Sequence, residues 1–444
     1  MLEMRIKTVA ILLFLFLLCG NAHAALQHYV GTGLSKTGST GTLGYTGVGF
    51  QPLAVIFIVP GNATADPEYS TTKGAMGYGL TDGTRNEFAA WAGRTNAVSS
   101  SVSNYYQNTK CINFGHSATG TNGYTTLAEA SISSLDIDGF TLNYSTVNAT
   151  AYEFMYIAIG GSGISVYVGE LTEGAELGNY STTAPGFQPD FLFAFSGGRT
   201  TTGSDNTLRG SVGLAVSSTE RGMTFHIAHN GQSAVPIKNR LLTTTLQQFT
   251  SALNDTILSD SDFVSFDTTG FTLDRNTDDA VDRLSGYLVI KGVTADVRQI
   301  TQHTSATTNA TSGVGFQPSF LWLIGHGSSS ATETNVDAEE TSGAATSTTN
   351  RAVAAFEYNK NGTNDQDSAK AFDTTDVYIT GDATTPTEEG RADLSSFDSD
   401  GFTLDYGTSD GTARLILAIS LKDNTAAAPK TTIQSAFING AFIN

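Results

Sequence analysis

A four-residue phrase, Gly-Phe-Gln-Pro, occurs three times in this chain, each time directly before an apolar run. The copies lie at 49–52, 186–189 and 315–318, and their phenylalanines are 137 and 129 residues apart. An apolar run without alternation is typical of a strand buried on both faces. Proline cannot donate to a β-ladder and therefore belongs at the start of such a strand. The recurrence predicts a unit repeated three times, whose core begins at this phrase.

A second phrase, Asp-X-X-Gly-Phe-Thr-Leu, follows later in every repeat. Its copies lie at 136–142, 267–273 and 398–404, each 131 residues after the one before. Aspartate with glycine three residues on is turn chemistry, and Phe-Thr-Leu alternates as a half-buried strand does. Between the two phrases, sequence and length vary most. We therefore expect exposed loops there, including Asn96–Thr109 and Asn359–Asp373.

Each repeat also begins and ends with a predicted strand. The opening strands contain His28–Gly31, Tyr167–Glu170 and Asp296–Gln299. The closing strands contain Phe154–Gly160, Tyr287–Lys291 and Arg414–Leu421. Short apolar or alternating runs between Gly, Asp, Asn and Ser recur throughout, whereas long helical periodicities are hard to find. The sequence predicts an all-β fold of three tandem β-sandwich, jelly-roll-like domains of about 130 residues, with seven to nine strands each.

The domain boundaries follow from these strands. We place the three repeats at 25–163, 164–293 and 294–422. No long flexible linker separates them, so we expect domains in contact. Residues 423–444 form a tail in which Asn439-Gly440 stands between two apolar triplets, a hairpin signal. We expect this hairpin to pack on the third domain, with addition to another chain's sheet edge as the alternative.

The first 24 residues are typical of a secretory signal peptide. Arg5 and Lys7 precede the apolar run Val9–Leu18, and small residues at 22 and 24 predict cleavage before Ala25. The apolar run is too short to span a bilayer about 30 Å thick, and no later segment is long enough. We therefore predict a secreted or cell-surface protein that does not span a membrane after cleavage.

Charge narrows the classes of partner. Loss of Glu3, Arg5 and Lys7 with the signal peptide leaves 21 basic and 41 acidic side chains, a formal charge of −20. Nucleic acids and anionic membrane surfaces attract basic patches, so neither is an expected partner. Cys111 is the single cysteine left after cleavage, which excludes an intramolecular disulfide in the mature chain. The fold must be held by its cores.

One arginine recurs 35, 34 and 35 residues after the phenylalanine of the first phrase. The three are Arg85, Arg221 and Arg351. Contact with an anionic ligand is one interpretation. We favour an internal pair with the turn aspartate of the same repeat, because arginine and carboxylate form strong bidentate hydrogen bonds. The predicted pairs are Arg85–Asp136, Arg221–Asp267 and Arg351–Asp398.

Three patterns suggest metal or nucleophile chemistry, and each has a simpler explanation. Asp-X-Asp-Gly in the first and third repeats is a fragment of a calcium loop without the further oxygen ligands, so a turn is favoured. His226 and His229 point to opposite faces of a strand and cannot share a metal there. Cys111 and His116 have no counterparts in the other repeats and are interpreted as a small buried thiol and a surface histidine. We predict no catalytic, cofactor-binding or metal-binding residues.

Together the two phrases resemble repeats of predicted phage tail and virion proteins and of related bacterial surface proteins. The resemblance covers all three repeats, at 50–52, 187–189 and 316–318 and again at 138–142, 269–273 and 400–404. It implies a structural or receptor-facing β module and brings no known chemistry or cofactor with it. The signal peptide favours export by a cell over a role in a phage particle.

We therefore expect a non-enzymatic structural or adhesive surface protein. Its partners would be further copies of itself, in a surface layer or filament, or surface glycans and proteins. A carbohydrate-binding protein is the first alternative, although Trp322 lies in a buried strand and leaves Trp91 as the other tryptophan. A secreted hydrolase is the second alternative, and it would need a polar cluster in a single repeat.

Overall fold

The computed structural model describes residues 26–423 except for short gaps. The gaps are 65, 67–68, 72, 95–101, 119–122, 175, 230–236, 252–254, 336, 362–364 and 383–386. The predicted signal peptide and the predicted tail hairpin lie outside the described residues. Within the described residues the chain is all-β, as predicted. None of these residues forms a helix that is long and apolar enough to cross a bilayer.

Eleven strands form along each third of the described chain, and we call these thirds units 1, 2 and 3. Unit 1 contains β1 (Gln27–Leu34), β2 (Gly41–Thr46), β3 (Ala54–Val59), β4 (Tyr69–Thr71), β5 (Lys73–Thr81), β6 (Asn86–Arg94), β7 (Val102–Gln107), β8 (Ile112–Ser117), β9 (Tyr124–Asp136), β10 (Gly139–Thr146) and β11 (Glu153–Gly160). Unit 2 contains β12 (Ser165–Thr172), β13 (Gly178–Thr182), β14 (Phe191–Ser196), β15 (Gly203–Asp205), β16 (Thr207–Ala215), β17 (Arg221–His229), β18 (Ile237–Leu242), β19 (Gln247–Thr250), β20 (Ile257–Asp267), β21 (Gly270–Thr277) and β22 (Leu284–Lys291). Unit 3 contains β23 (Val293–Thr301), β24 (Thr308–Ser312), β25 (Phe320–Gly325), β26 (Thr332–Asn335), β27 (Asp337–Ala345), β28 (Arg351–Asn361), β29 (Asp365–Asp373), β30 (Tyr378–Asp382), β31 (Thr387–Asp398), β32 (Gly401–Ser409) and β33 (Leu415–Asp423).

Each unit has one four-stranded and one seven-stranded antiparallel sheet. In unit 1 the small sheet has the order β2-β10-β9-β8, and units 2 and 3 repeat that order with their own strands. The small sheet packs on one face of the large sheet through apolar side chains such as Phe57 of β3 and Phe140 of β10, whose ring centroids are 5.4 Å apart. The pairing of two sheets around a core is the arrangement of a β-sandwich.

The seventh strand of each large sheet comes from another unit. The large sheet of unit 1 has the order β1-β11-β3-β5-β6-β7-β15, in which β15 belongs to unit 2. In the same way β26 of unit 3 pairs with β18 of unit 2, and β4 of unit 1 pairs with β29 of unit 3. Because the last exchange returns to unit 1, the three units form a closed ring.

The other face of each large sheet lies in a core that all three units share. Along β3, alternate side chains enter the core of unit 1 and this shared core, which explains why every residue of Ala54–Val59 is buried. Phe193 of unit 2 and Trp322 of unit 3 meet in the shared core with ring centroids 4.8 Å apart. The prediction that the first phrase precedes a strand buried on both faces is therefore confirmed.

The prediction of exposed loops in the variable segments is wrong. Residues 102–107 of the first segment form β7, and residues 365–373 of the second form β29. Each strand has a polar side chain that forms a hydrogen bond with the neighbouring unit. Asn104 of β7 donates to the carbonyl of Gly197 at 2.6 Å, and Lys370 of β29 donates to that of Gly61 at 2.8 Å. These extra strands also raise the count per unit from the predicted seven to nine to eleven.

The two sequence phrases contact each other in every unit. The amides of the three phrase glutamines donate to the carbonyl of the residue just before the second phrase, so these side chains satisfy backbone groups. The pairs are Gln51 with Leu135 at 2.7 Å, Gln188 with Phe266 at 3.0 Å and Gln317 with Phe397 at 2.9 Å. The phrase glycines Gly49, Gly186 and Gly315 have φ between 73° and 85°, which disfavours other residues there. The phrases therefore fix the small sheet against the large one.

A glycine in each of β5, β16 and β27, which pair with the buried strands after the first phrase, lets the two sheets approach closely. A Cβ at Gly213 would lie 1.9 Å from the carbonyl oxygen of Leu246, and the equivalent Gly79 and Gly343 meet a carbonyl oxygen in the same way. We expect Gly213→Ala to lower the free energy of unfolding by about 3 kcal/mol, because backbone must move to make room. Urea unfolding measures this change.

Gly407 provides the matched control, since it lies in an exposed part of β32 with no atom within 4 Å of an added Cβ. Gly407→Ala should change the stability by less than about 0.5 kcal/mol. Equal effects of the two substitutions would contradict the close approach at Gly213.

Candidate functional site

The recurring arginines pair with different aspartates from those predicted. The ion pairs join Arg85 to Asp82 at 2.7 Å, Arg221 to Asp262 at 3.4 Å and Arg351 to Asp393 at 3.1 Å. The turn aspartates instead accept from a serine and a threonine hydroxyl of their own turn, as in Ser134 and Thr141 with Asp136. The predicted pairs are wrong because these local hydroxyls already occupy the carboxylate oxygens.

The second aspartate of the Asp-X-Asp-Gly pattern holds the loop of the first phrase. Asp138 accepts from the backbone N–H of Gly49 at 2.6 Å and of Gly47 at 3.1 Å, and Asp400 does the same in unit 3. In unit 2, where threonine replaces this aspartate, the carbonyl of Thr269 accepts from Gly186 N–H at 2.9 Å. A backbone oxygen can replace the carboxylate, which supports the interpretation as a turn. Within the described residues, no group of three or more His, Cys, Asp or Glu is arranged to hold a metal.

The remaining candidates of the sequence are held by local contacts. Cys111 is fully buried, and burial raises the pKa of its thiol, which opposes formation of a nucleophilic thiolate. His116 is half-buried and its Nδ1 donates to the carbonyl of Ser117 at 2.8 Å. His226 lies in the shared core, and the side chain of His229 lies outside the described part of the molecule.

A buried polar cluster lies where the three units meet. Trp91, His226 and Phe356 hold the same position in β6, β17 and β28, and Glu340 pairs with Phe356 on the neighbouring strand. Glu340 accepts from Trp91 Nε1 at 2.9 Å and from the hydroxyl of Tyr78 at 2.7 Å. Its Oε2 is 3.5 Å from His226 Nε2. One carboxyl of unit 3 therefore contacts both other units.

Burial makes this cluster electrically neutral near pH 7. It raises the pKa of Glu340 to about 8, although the bonds from Tyr78 and Trp91 oppose the rise. It lowers the pKa of His226 to about 3, and the nearby His326 lowers it further. The Asn239 amide oxygen lies 2.9 Å from His226 Nδ1, which therefore carries the ring hydrogen. The lone pair of Nε2 then faces the protonated carboxyl.

A second cluster of polar side chains lines a cleft at the junction between units 1 and 2. The cleft has a volume of about 540 Å³ and is open to solvent. Unit 1 contributes the turn before β6 and the start of that strand, with Arg85 and Glu87, and the residue after β7, Asn108. Unit 2 contributes Tyr167 and Glu170 from β12. The site therefore exists only because the two units are in contact.

At the floor of the cleft, two glutamate carboxyls lie within hydrogen-bonding distance of one tyrosine hydroxyl. The Tyr106 oxygen lies 2.6 Å from Glu87 Oε2 and 3.1 Å from Glu170 Oε2, and Asn108 Nδ2 donates to the same Glu170 oxygen at 3.0 Å. One hydroxyl hydrogen cannot serve both carboxyls. Burial raises the pKa of Glu87 to about 8, and the nearby Glu170 adds to the rise. Protonated Glu87 therefore donates to Tyr106, which donates to Glu170.

The wall of the cleft is built around one arginine. The guanidinium of Arg85 lies 4.1 Å above the centre of the Tyr167 ring, a cation–π contact between the two units. The same guanidinium pairs with Asp82, which also accepts from the backbone N–H of Val168 at 3.3 Å. The arrangement offers carboxyl, amide and guanidinium groups in one open cleft.

Sequence reasoning found Arg85 but missed its neighbours in the cleft. The signal lies in the strand registers, because an alignment on the recurring arginines sets Glu87 opposite Met223 and Val353. Glu87 stands where unit 2 has Gly222 and unit 3 has Ala352. A carboxyl in place of two small residues marks a departure that the fold does not require.

Comparison with known proteins places the chain in no family. No family model matches it, and no curated protein does. Among solved structures, the outer membrane protein opdK from Pseudomonas aeruginosa aligns over 83% of this chain and 98% of its own, with 9% identity and a TM-score of 0.09. A TM-score this low carries no argument about fold or function.

The buried Glu340 predicts how stability changes with pH. Its pKa is about 8 in the folded chain against 4.5 ordinarily, so the folded state keeps a proton that the unfolded chain loses in this interval. This contribution to stability is complete below pH 4.5 and is lost as the pH rises through 8. Glutamine has the shape of the protonated acid but does not titrate. We expect Glu340→Gln to remove a slope of roughly 1.4 kcal/mol per pH unit.

Urea unfolding at pH 5, 7 and 9 measures this effect. The variant should be close to the wild-type chain at pH 5 and increasingly more stable than it at pH 7 and 9. A difference between the two proteins that stays the same at all three pH values would contradict a buried, protonated Glu340.

Proposed function

We propose that the protein is a secreted structural or adhesive surface protein, built from three tandem β-sandwich units and without catalytic activity of its own. The observation that carries this proposal is the closed exchange of strands, in which each unit completes the large sheet of another. An exported chain without disulfides gains a rigid body from such an exchange, because no unit can separate without breaking a β-ladder. Rigidity over a large surface suits a structural or adhesive role.

Protection of the sheet edges supports the same role. A free edge strand is a template for pairing with other chains. The opposite edge of the large sheet of unit 1 is β1, and there Asn350 of unit 3 donates to the carbonyl of Val30 at 2.7 Å and accepts from its N–H at 3.0 Å. In unit 2, Asp82 of unit 1 accepts from Val168 of β12. Side chains of a neighbouring unit thus satisfy edge groups that would otherwise pair with other chains.

Charge and sequence resemblance add to the proposal. The acidic mature chain, with a formal charge of −20, is suited to solubility outside a cell. The two phrases resemble repeats of phage tail and virion proteins and of bacterial surface proteins, which favours receptor-facing or structural work over catalysis.

Localisation tests the proposal most directly. Antibodies against the purified chain should label the surface of producing cells in immunogold electron microscopy, and the recovered protein should begin at Ala25 on N-terminal sequencing. Negative-stain images of the purified chain should show compact three-lobed particles. Labelling confined to the cytoplasm, or an N-terminus that retains residues 1–24, would contradict the proposal.

A further inference from the structure

The cleft between units 1 and 2 has polar groups that the two equivalent junctions lack. Tyr106 has the same position in its sheet as Leu241 in unit 2 and Phe372 in unit 3. Glu87 likewise corresponds to a glycine and an alanine, as described above. Two junctions of this ring are therefore held together without a carboxyl or a hydroxyl at these positions. The polar floor at the first junction is an addition to the fold and not a part of it.

Glu87 offers the cleft an acceptor oxygen that the fold does not use. Its side chain is 4% exposed, yet only Oε2 has a hydrogen-bond partner, the hydroxyl of Tyr106. The other carboxyl oxygen, Oε1, belongs to a residue that lines the cleft and has no protein partner. Glu87 therefore has an acceptor oxygen that no described protein group uses, and as a lining residue of an open cleft it can accept from a ligand hydroxyl there.

The groups around the cleft select the chemistry of that ligand. Arg85 is already paired with Asp82 at 2.7 Å, and the acidic side chains of Glu87 and Glu170 also line the cleft, so its lining does not favour an anion. Acceptors are supplied by the carboxyl oxygens, and donors by Asn108 and the guanidinium. A hydroxyl group both donates and accepts, so a molecule with several hydroxyls matches this mixture. Ile132 adds an apolar surface at the rim against which C–H groups can pack.

We propose that this cleft binds a neutral saccharide, whose hydroxyls donate to Glu87 and Glu170 and accept from Arg85 and Asn108. Its volume of about 540 Å³ lies within the range of small-ligand sites. The inference rests on the proposed adhesive function, for which it names the class of ligand. Because the site spans two units, the saccharide would bind only when the ring is assembled.

A glycan array probed with the purified full chain tests the proposal, followed by calorimetric titration of the glycans that bind. The array should contain neutral, sialylated and sulfated glycans. We expect neutral glycans to bind and Glu170→Ala to weaken this binding at least tenfold, since the hydrogen bonds to this side chain are lost. Glu87→Ala should do the same. It introduces the residue that unit 3 has at this position, Ala352, so the fold should tolerate it.

Gln299→Ala is the matched control, because Gln299 occupies in β23 the position that Glu170 occupies in β12 and is also exposed. It should leave binding unchanged. Absence of neutral glycan binding, equal losses in the control, or binding confined to anionic glycans would overturn the proposal. So would heat from calcium chloride alone that disappears in Glu170→Ala, since the cleft would then be a cation site.

The result of the glycan array can be distinguished from the result of the localisation experiment that tests the proposed function. The array measures the purified chain and does not depend on where the protein is located. A negative array with surface labelling would overturn the saccharide site alone. Glycan binding by a protein that stays in the cytoplasm would overturn the surface role and support the site.

Discussion

The edge of each large sheet is the place on which the rest of the molecule depends. A sheet of six strands that ended at β7, β18 or β29 would leave a row of unpaired backbone groups facing another unit. The neighbouring unit fills this row with three or four residues of its own, and the ladder continues across the boundary. The side chain of Asn104 adds hydrogen bonds across this boundary, since its amide donates to the carbonyl of Gly197 and accepts from the backbone N–H of Asp205. Sheet hydrogen bonding, which usually defines a unit, here joins the units.

Each large sheet contributes one face to the core that the three units share. This shared core is not symmetric, because the three units place different side chains in it. Trp91 of unit 1 lies against Gly210 of unit 2, where a Cβ would be 2.3 Å from the indole ring. Glu87 likewise uses the space beside Gly286, whereas at the next junction Leu417 fills the space beside Gly222. A large side chain in one unit thus matches a glycine in the next. The three repeats share a fold but are not interchangeable.

This asymmetry also explains where polar chemistry is found. The repeated phrases do structural work in every unit, as Gln51 and its two counterparts show by bonding the same backbone position. Two of the carboxyls with raised pKa values, Glu340 and Glu87, are instead unique to one unit. Both lie where units meet, and burial there raises the pKa of each carboxyl. The candidate site follows from the ring and not from the single repeat.

The buried strands of each repeat could be predicted from the sequence, whereas the strand pairing between repeats and the partners of the recurring arginines could not. The buried strands after Pro52 and its counterparts are apolar without interruption, so their position and burial were evident. Strands β4, β15 and β26 are short and polar, and their pairing partner lies in another unit, so no periodicity reveals them. The true partners of the recurring arginines were missed because Asp262 and Asp393 lie in the middle of a long strand and outside any turn signature.

Scanning calorimetry of the full chain tests the closed ring most directly. Units that share ladders and a core must unfold together, so we predict one transition whose van 't Hoff enthalpy approaches the calorimetric enthalpy. Three resolved transitions, each carrying about a third of the total enthalpy, would mean that the units are independent. That result would contradict the exchange of strands on which this account of the protein rests.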